Sequence, residues 1–384
     1  MQSSNTQTIQ RVLLVGVALE GADITNSLAE LESLVYTVGG QVMAVVTQNR
    51  QSVDKEFFIG SGKVDEIKEL IDDIETEQQV SIDLVIFNNQ LSGRQLKNLN
   101  EAMNVNIIDR NMLILDIFAW RASSLEGKLQ VELAQLKYSL PRLIGQGMVL
   151  SQQGAGIGTR GPGETKLELD RRVIRRKIFE KGQEIKKLAE QREVRRKKRL
   201  TNEKSVAIVG YTNAGKSTLM NVLTKADVLA EDKLFATLDP ITRKIWTDLT
   251  SMGIDGGDAG GATYTLTDTV GFIQDLPHEF IEAFKSTLEE ARHSDLLLHV
   301  VDIASKDVNK DIEVVDKVLA ELGVIDKPTI MVFNKIDALE GSRHLSKKLI
   351  KLDNIENKNT IYISALTGEG VEELKKQIAR KLFS

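Results

Sequence analysis

Ser205-Val206-Ala207-Ile208-Val209-Gly210-Tyr211-Thr212-Asn213-Ala214-Gly215-Lys216-Ser217-Thr218 decides the fold of this chain. A β-branched apolar run ends in Gly210-x-x-x-x-Gly215-Lys216-Ser217, and an apolar-periodic helix follows from Leu219. The order is strand, phosphate loop, helix. The two glycines let backbone N–H groups turn inward around a polyphosphate, and the helix N-terminus adds its positive dipole end. Lys216 reaches the β- and γ-phosphates, and the Ser217 hydroxyl is placed for Mg²⁺. A plain glycine turn between strand and helix is the competing reading, and the match with its correct flanks argues against it.

Four motifs follow in the order a guanine-nucleotide switch requires. Leu234-Phe235-Ala236-Thr237-Leu238-Asp239 comes first. Thr237 can give its hydroxyl to Mg²⁺ and its N–H to the γ-phosphate, so this loop senses that phosphate. Asp268-Thr269-Val270-Gly271 follows an apolar strand. Asp268 is placed to hold Mg²⁺ through water, and the Gly271 N–H to touch the γ-phosphate. Asn334-Lys335-Ile336-Asp337 ends the strand Thr329–Phe333. The Asp337 carboxylate can accept from guanine N1–H and the 2-amino group, donors that adenine lacks there. Ser364-Ala365-Leu366 follows the next strand, where the Ala365 N–H can meet guanine O6.

Candidate catalytic residues are therefore Lys216, Thr237 and Gly271. Switch GTPases often place Gln just after the D-x-x-G glycine to orient the attacking water. Phe272 stands there and cannot bond water. Intrinsic hydrolysis is expected to be slow unless another group or a partner completes the site. Asn213 either ligates K⁺ beside the phosphates, supplying charge there, or hydrogen-bonds its own loop. His278, in the second switch, is read as a contact or solvated loop histidine rather than a catalytic one.

Upstream, Arg11–Leu19, Gln41–Thr47, Ile82–Phe87 and Val105–Ile108 read as strands alternating with helices at Ile24–Val38, Val64–Ile74 and Ser92–Met103. That alternation predicts a mostly parallel sheet in an amino-terminal α/β domain over residues 1–110. Within it, Gly60-Ser61-Gly62-Lys63 precedes a helix. Gly60, Gly62 and Lys63 form a candidate second nucleotide site, but the stretch is too short for a full phosphate loop and reads better as a turn.

Residues 111–200 read as a long antiparallel helical hairpin. Asn111 to Leu143 is continuously helical in pattern, with Leu125, Leu129, Leu133, Leu136, Leu140 and Leu143 on one stripe and Pro141 as a bend or end. A second long helix runs from Leu167 to Leu200, its seam at Leu167, Ile174, Ile178, Ile185 and Leu188, with Thr165-x-x-Glu168 as its capping box. The connecting loop, 152–164, contains Gly156-x-Gly158-x-x-Gly161. This is not a dinucleotide fingerprint, because a helix rather than a strand precedes it. A glycine-rich tip with Arg160 and Lys166 beside it can enter a structured RNA, or it is simply a flexible connection.

Residues 201–384 form the carboxy-terminal Ras-like P-loop GTPase domain. Its strands are expected at Ser205–Val209, Ile241–Leu249, Thr263–Thr269, Leu296–Val301, Thr329–Phe333 and Thr360–Ile363, around a polar glycine-rich loop from Gly253 to Gly261.

The net charge of −5 conceals an asymmetry. Arg171 to Leu200 holds fourteen Lys or Arg against four Glu, a net of +10 that leaves −15 for the rest of the chain. Such a stripe is either a solvated helix face or a local polyanion contact, with Arg171, Arg172, Arg175 and Arg176 as candidate RNA contacts. The 384 residues are 41% hydrophobic and 27% charged, ordinary for a globular protein of two or three domains. The absence of cysteine rules out disulfides, thiol catalysis and Cys-ligated zinc. No signal peptide and no apolar run of membrane-span length are visible, so a cytoplasmic protein is expected.

On these residues the chain resembles the HflX family of ribosome-associated GTPases. The likeness rests on Gly60–Lys63, on Leu129-Gln130-Val131-Glu132-Leu133-Ala134-Gln135-Leu136, on Gly158-Thr159-Arg160-Gly161-Pro162-Gly163-Glu164-Thr165-Lys166, and on Gly210–Ser217. It extends through Phe235–Asp239 and Asp268-Thr269-Val270-Gly271-Phe272-Ile273. The glycine loop and hairpin are far more specific than the GTPase motifs.

The resemblance implies GTP and Mg²⁺ as cofactors and binding to the large ribosomal subunit, with the hairpin loop near the peptidyl-transferase region of ribosomal RNA. It also implies ribosome-stimulated hydrolysis, promotion of the splitting of stalled ribosomes, and a monomer when free. Some members hydrolyse ATP through the amino-terminal domain, act on RNA structure or confer antibiotic resistance. An RNA-remodelling ATPase centred on Lys63 and a ribosome-protecting resistance factor are therefore the alternatives. Longer members carry a further carboxy-terminal domain, and contacts made by it are not carried over.

Asp337→Asn is expected to shift nucleotide preference from guanine toward xanthine, read by competition between GDP and XDP. Unchanged guanine selectivity would place the base contact elsewhere.

Overall fold

The computed structural model describes residues 9–152, 162–199, 203–224, 234–235, 239–250, 253–254, 260–274, 280, 285–339 and 359–383, with backbone alone at 144–152, 162–167, 195–199 and 285–287. The chain divides into two compact units. One comprises residues 1–120 and 129–185, the other residues 121–128 and 186–384.

The first unit is built on a four-stranded parallel sheet in the order β2-β1-β3-β4. Its strands are β1 (Arg11–Leu19), β2 (Gln41–Arg50), β3 (Leu84–Phe87) and β4 (Asn106–Asp109). Between them run α1 (Thr25–Thr37), α2 (Ser61–Gln78) and α3 (Gly93–Met103). Central β1 is buried along Val12 to Ala18, as expected of a parallel strand covered on both faces. Edge strand β2 is mostly exposed or half-covered. Ile67, Ile71 and Ile74 of α2 pack with Leu13, Val15 and Phe87 in one core.

The helical region departs from the expected continuous helix. It forms α4 (Arg110–Arg121) and α5 (Leu125–Gln152), broken at 122–124. Pro141 lies inside α5 rather than at its end. The expected leucine stripe is buried only in part: Leu129 is buried, but Leu125 is 66% exposed, and Val131, Ala134 and Tyr138 are buried as well. The reason is a polar anchor. Buried Asp109, at the end of β4, accepts the Tyr138 hydroxyl (2.6 Å to Oδ2) and Arg142 Nη2 (3.1 Å). This pair turns the Tyr138 face inward and neutralises the carboxylate.

Helix α6 (Pro162–Arg199) begins before the expected capping box, so Thr165 lies within the helix. Pro162 takes the first helical position, where its missing N–H costs nothing. Lys181 of α6 pairs with Glu132 of α5 at 3.0 Å. Ile174, Ile178, Ile185 and Leu188 are half-covered, while Arg172, Arg175 and Arg176 are exposed. The tip residues 153–161, including Arg160, and the Lys166 side chain lie outside the described residues. Among the described residues, no helix is long and apolar enough to cross a membrane.

The second unit is a six-stranded sheet in the order β10-β9-β8-β5-β7-β6. Its strands are β5 (Lys204–Gly210), β6 (Ile241–Asp248), β7 (Gly261–Asp268), β8 (Leu296–Asp302), β9 (Thr329–Asn334) and β10 (Thr360–Tyr362). All pairs are parallel except the edge pair β6/β7. The helices α7 (Lys216–Thr224), α8 (Lys285–His293), α9 (Val308–Glu321) and α10 (Val371–Phe383) complete it. Central β5 lies between β7 and β8, so its carboxyl end opens at the crevice where parallel α/β sheets hold ligands.

In the first unit, a Cβ on Gly93 would lie 2.2 Å from the Arg142 carbonyl oxygen. Gly93→Ala should therefore destabilise this unit by about 1–3 kcal/mol in urea unfolding. Gly62→Ala, in open space within α2, should stabilise it by roughly 0.5–1 kcal/mol.

Candidate active site

The phosphate loop leaves β5 at Gly210 and enters α7 at Lys216. Gly215 has φ +90°, and a Cβ there would lie 2.2 Å from Asn334 Nδ2. Asn334 is itself buried and bridges two loops. Its Nδ2 donates to the Ala214 carbonyl at 2.9 Å, and its Oδ1 accepts from the Ala365 N–H at 2.9 Å. The Ala365 N–H, the group expected to meet guanine O6, is given to Asn334 in this structure.

Lys335 adopts φ 66°, and its Nζ pairs with Asp302 Oδ2 at 2.8 Å. Exposed Asp337 follows in a 3₁₀ turn over Ile336–Ala338. Ser364 is buried and its hydroxyl accepts from the Thr367 N–H at 3.1 Å, shaping the loop, while the Leu366 side chain stays exposed. Asp302 was not among the expected site residues. Its only sequence signal is its place at the end of the apolar run Leu296-Leu297-Leu298-His299-Val300-Val301.

At the phosphate end, Ser217 Oγ donates to Asp268 Oδ2 at 2.7 Å. A hydroxyl and a carboxylate side by side form the donor set expected of Mg²⁺ shared with phosphate oxygens. Among the described residues, no group of three or more His, Asp or Glu forms a metal cage. The fit is to a metal completed by nucleotide and water rather than one held by protein alone. Thr237, with Ala236 and Leu238, lies outside the described residues, as does His278. Phe235 is buried at φ 56°.

Asp268-Thr269-Val270-Gly271 is stitched to the phosphate loop. The Thr212 N–H donates to the Phe272 carbonyl at 2.7 Å, and the Phe272 N–H to the Gly210 carbonyl at 3.1 Å. Thr269 Oγ1 donates to the Ile208 carbonyl at 2.7 Å. The Tyr211 hydroxyl accepts from the Gln274 N–H at 2.9 Å. A Cβ on Gly271 would come 2.9 Å from Lys216 Nζ, so Gly271 is where the lysine and this turn meet. The Phe272 side chain is 2% exposed and belongs to the core. Asn213, by contrast, is exposed with φ 58°, a left-handed conformation that asparagine tolerates.

Lys216 Nζ donates to the Tyr211 carbonyl at 2.7 Å. Burial pulls its pKa down to about 8; Asp268 opposes the shift and Lys335 adds to it. His299 lies 2% exposed on β8, with Nδ1 3.8 Å from Asp316 Oδ1. Burial, and secondly the Lys216 charge, lower it to about 4, so it is neutral near pH 7. A neutral histidine spares the site a second buried cation.

At the candidate second site, the Gly60 N–H donates to Gln48 Oε1 at 3.1 Å, and Lys63 pairs with Glu66 at 2.6 Å. These bonds describe a turn and a helical i,i+3 pair. No phosphate cradle of the kind found at Gly210–Ser217 is built around them among the described residues.

Three family models match in succession: GTP-binding GTPase N-terminal over residues 25–119, GTP-binding GTPase Middle Region over 121–199, and 50S ribosome-binding GTPase over 205–335. The GTPase HflX of Caldanaerobacter subterraneus subsp. tengcongensis is 49% identical over 375 residues, 97% of this chain and 81% of that protein. The chain belongs to the HflX GTPase family. The GTPase HflX of Escherichia coli strain K12 is 41% identical over 97% of this chain and 83% of its own length. A solved GTP-binding protein from Sulfolobus solfataricus, in complex with GDP, is similar with 25% identity and a TM-score of 0.50, covering 97% of this chain and 98% of that one. The chain is thus a GTPase of the HflX family, with GTP as its nucleotide.

Because binding uses the protonated form of Lys216, affinity should be full below its pKa and fall above it. GDP affinity of the unaltered protein should drop about fourfold between pH 7 and 8.5, measured by fluorescent-GDP titration. A flat profile would mean that the lysine stays charged throughout.

Proposed function

We propose that this chain hydrolyses GTP on the large ribosomal subunit, and that its GTP-bound form promotes the separation of stalled ribosomes into subunits. The observation that carries the ribosome dependence is Phe272. It occupies the position from which other switch GTPases orient the attacking water, yet its ring is buried and its main chain is tied to Gly210 and Thr212. A site without that group needs a partner to complete it. The match of residues 205–335 to the 50S ribosome-binding GTPase model supports the large subunit as that partner.

Lys216 would neutralise charge on the transferred phosphoryl group, and the Gly271 N–H would bond the γ-phosphate. Ser217 and Asp268 would hold Mg²⁺, together with Thr237; the metal would screen charge building on the phosphate oxygens. Exposed Asn213 would ligate K⁺ at the loop. Asp337 would read the guanine. The basic face of α6, including Arg171, Arg172, Arg175 and Arg176, together with Arg160 and Lys166 at the tip, would meet ribosomal RNA. The bonds at Gly60 and Lys63 give no support to an ATPase centred there. The expected setting is the cytoplasm, where ribosomes are found.

GTP hydrolysis measured with and without purified large subunits, in K⁺ and in Na⁺, tests the reading. Stimulation of at least tenfold by the subunit is expected, larger in K⁺. Tight nucleotide binding with no stimulation would overturn the ribosome assignment, and equal rates in the two salts would remove the K⁺ role of Asn213.

A further inference from the structure

Tyr211 is engaged through both its main chain and its side chain, and each contact bears on the nucleotide site. Its carbonyl accepts from Lys216 Nζ at 2.7 Å. Its main chain forms a parallel bridge with Phe272, apart from the strands of the sheet. Two rungs make the bridge: the Phe272 N–H donates to the Gly210 carbonyl at 3.1 Å, and the Thr212 N–H to the Phe272 carbonyl at 2.7 Å. In a regular parallel pair the next rung would run from the Gln274 N–H to the Thr212 carbonyl. The chain leaves that register at Asn213, which adopts a left-handed φ of 58° as the phosphate loop turns. The Gln274 N–H donates instead to the Tyr211 hydroxyl at 2.9 Å. A side chain supplies the rung that the turning backbone gives up.

The third rung matters because of what the ladder holds. Gly271 lies one residue before the bridge. A Cβ there would come 2.9 Å from Lys216 Nζ and 3.0 Å from Thr212 Cα. The main chain of Gly271 is thus pressed against the lysine and the phosphate loop. On one side of it, Thr269 Oγ1 is tied to the Ile208 carbonyl at 2.7 Å. On the other side come the two main-chain rungs, buried Ile273 and then the Tyr211 hydroxyl. Phenylalanine at 211 would keep the ring and both main-chain rungs, but it would offer Gln274 no acceptor. The hydroxyl therefore has a role separable from that of the ring.

We propose that Tyr211 is a positioning residue for GTP hydrolysis. Its hydroxyl keeps residues 271–274 in register on the phosphate loop, so that the Gly271 N–H and the Lys216 ammonium hold one spacing. This rests on the reading that the Gly271 N–H bonds the γ-phosphate. GDP has no γ-phosphate, so the hydroxyl serves the rate of hydrolysis and not the grip on GDP. A donor displaced from the developing charge costs rate, because its stabilising effect depends on being fixed in advance.

The test is Tyr211→Phe in the full chain. GTP turnover is measured alone and with purified large ribosomal subunits, beside fluorescent-GDP titration and amide hydrogen exchange over residues 271–274. In both turnover conditions kcat should fall about five- to tenfold, as expected for one lost hydrogen bond, with KM and GDP affinity kept within about twofold. Exchange over 271–274 should quicken about threefold or more. Retained GDP affinity also shows that the variant is folded. Loss of GDP affinity in proportion to kcat would mean that the tyrosine only builds the loop, and would overturn the positioning role. An unchanged kcat, or a lower kcat with unchanged exchange over 271–274, would overturn it as well. The underlying contact is tested separately in the unaltered protein, where the Gly271 amide should exchange more slowly with a non-hydrolysable GTP analogue than with GDP. Equal exchange there would overturn the γ-phosphate contact, and the role of Tyr211 with it. Turnover that subunits do not stimulate would remove the ribosome as partner, while the ratio of variant to unaltered kcat would still decide the role of Tyr211.

Discussion

The buried Asn334 side chain is the interaction on which the nucleotide site depends. One amide donates to the Ala214 carbonyl and accepts from the Ala365 N–H, joining the phosphate loop to the loop after β10. Three segments far apart in sequence acquire a fixed spacing from one planar group. The clamp is possible because β5, β8, β9 and β10 run parallel, which brings the carboxyl ends of β5, β9 and β10 to the same end of the sheet. It also requires Gly215, since any side chain there would occupy the space of the Asn334 amide. Order at the phosphates and order at the base are therefore linked before any ligand arrives, which lowers the entropy cost of binding.

Charge at the phosphate end is arranged with similar economy. Lys216 is buried and bonded to the Tyr211 carbonyl. Asp268 is the nearby anion that favours its charged form, and His299 beneath is kept neutral by burial and by the lysine. An incoming polyphosphate would relieve the desolvation of the lysine. The ammonium is therefore poised for an anion. The Phe272 backbone holds the loop and its ring serves the core.

Much of this was legible in the chain. The buried strands announce themselves as apolar runs, because a parallel strand covered on both faces has no polar side to show. Gly210, Gly215, Lys216 and Ser217 are readable because phosphate binding fixes residue type and spacing together. The misreadings share one cause. Asn111 to Leu143 has an unbroken helical pattern, but the helix stops at 122–124 because Ser124 and Asp239 form a cap there. The leucine stripe of α5 looked like its buried face until the Asp109 carboxylate drew Tyr138 and Arg142 inward. Thr165-x-x-Glu168 is a valid cap signal that lost to Pro162, which starts the helix earlier.

By itself, then, the sequence determined the two α/β sheets, the long helices, the phosphate loop and the family, since each rests on local periodicity or on contiguous residues at fixed spacing. Tertiary structure alone decided which donors are spent, where a helix breaks and which face it buries. Asp239 capping Ser124, Lys335 meeting Asp302, and Asn334 joining Ala214 to Ala365 are contacts between residues distant in the chain. A side chain's hydrogen-bonding capacity is written in the sequence. Its partner is set only when the folded backbone brings two such groups within about 3 Å of each other.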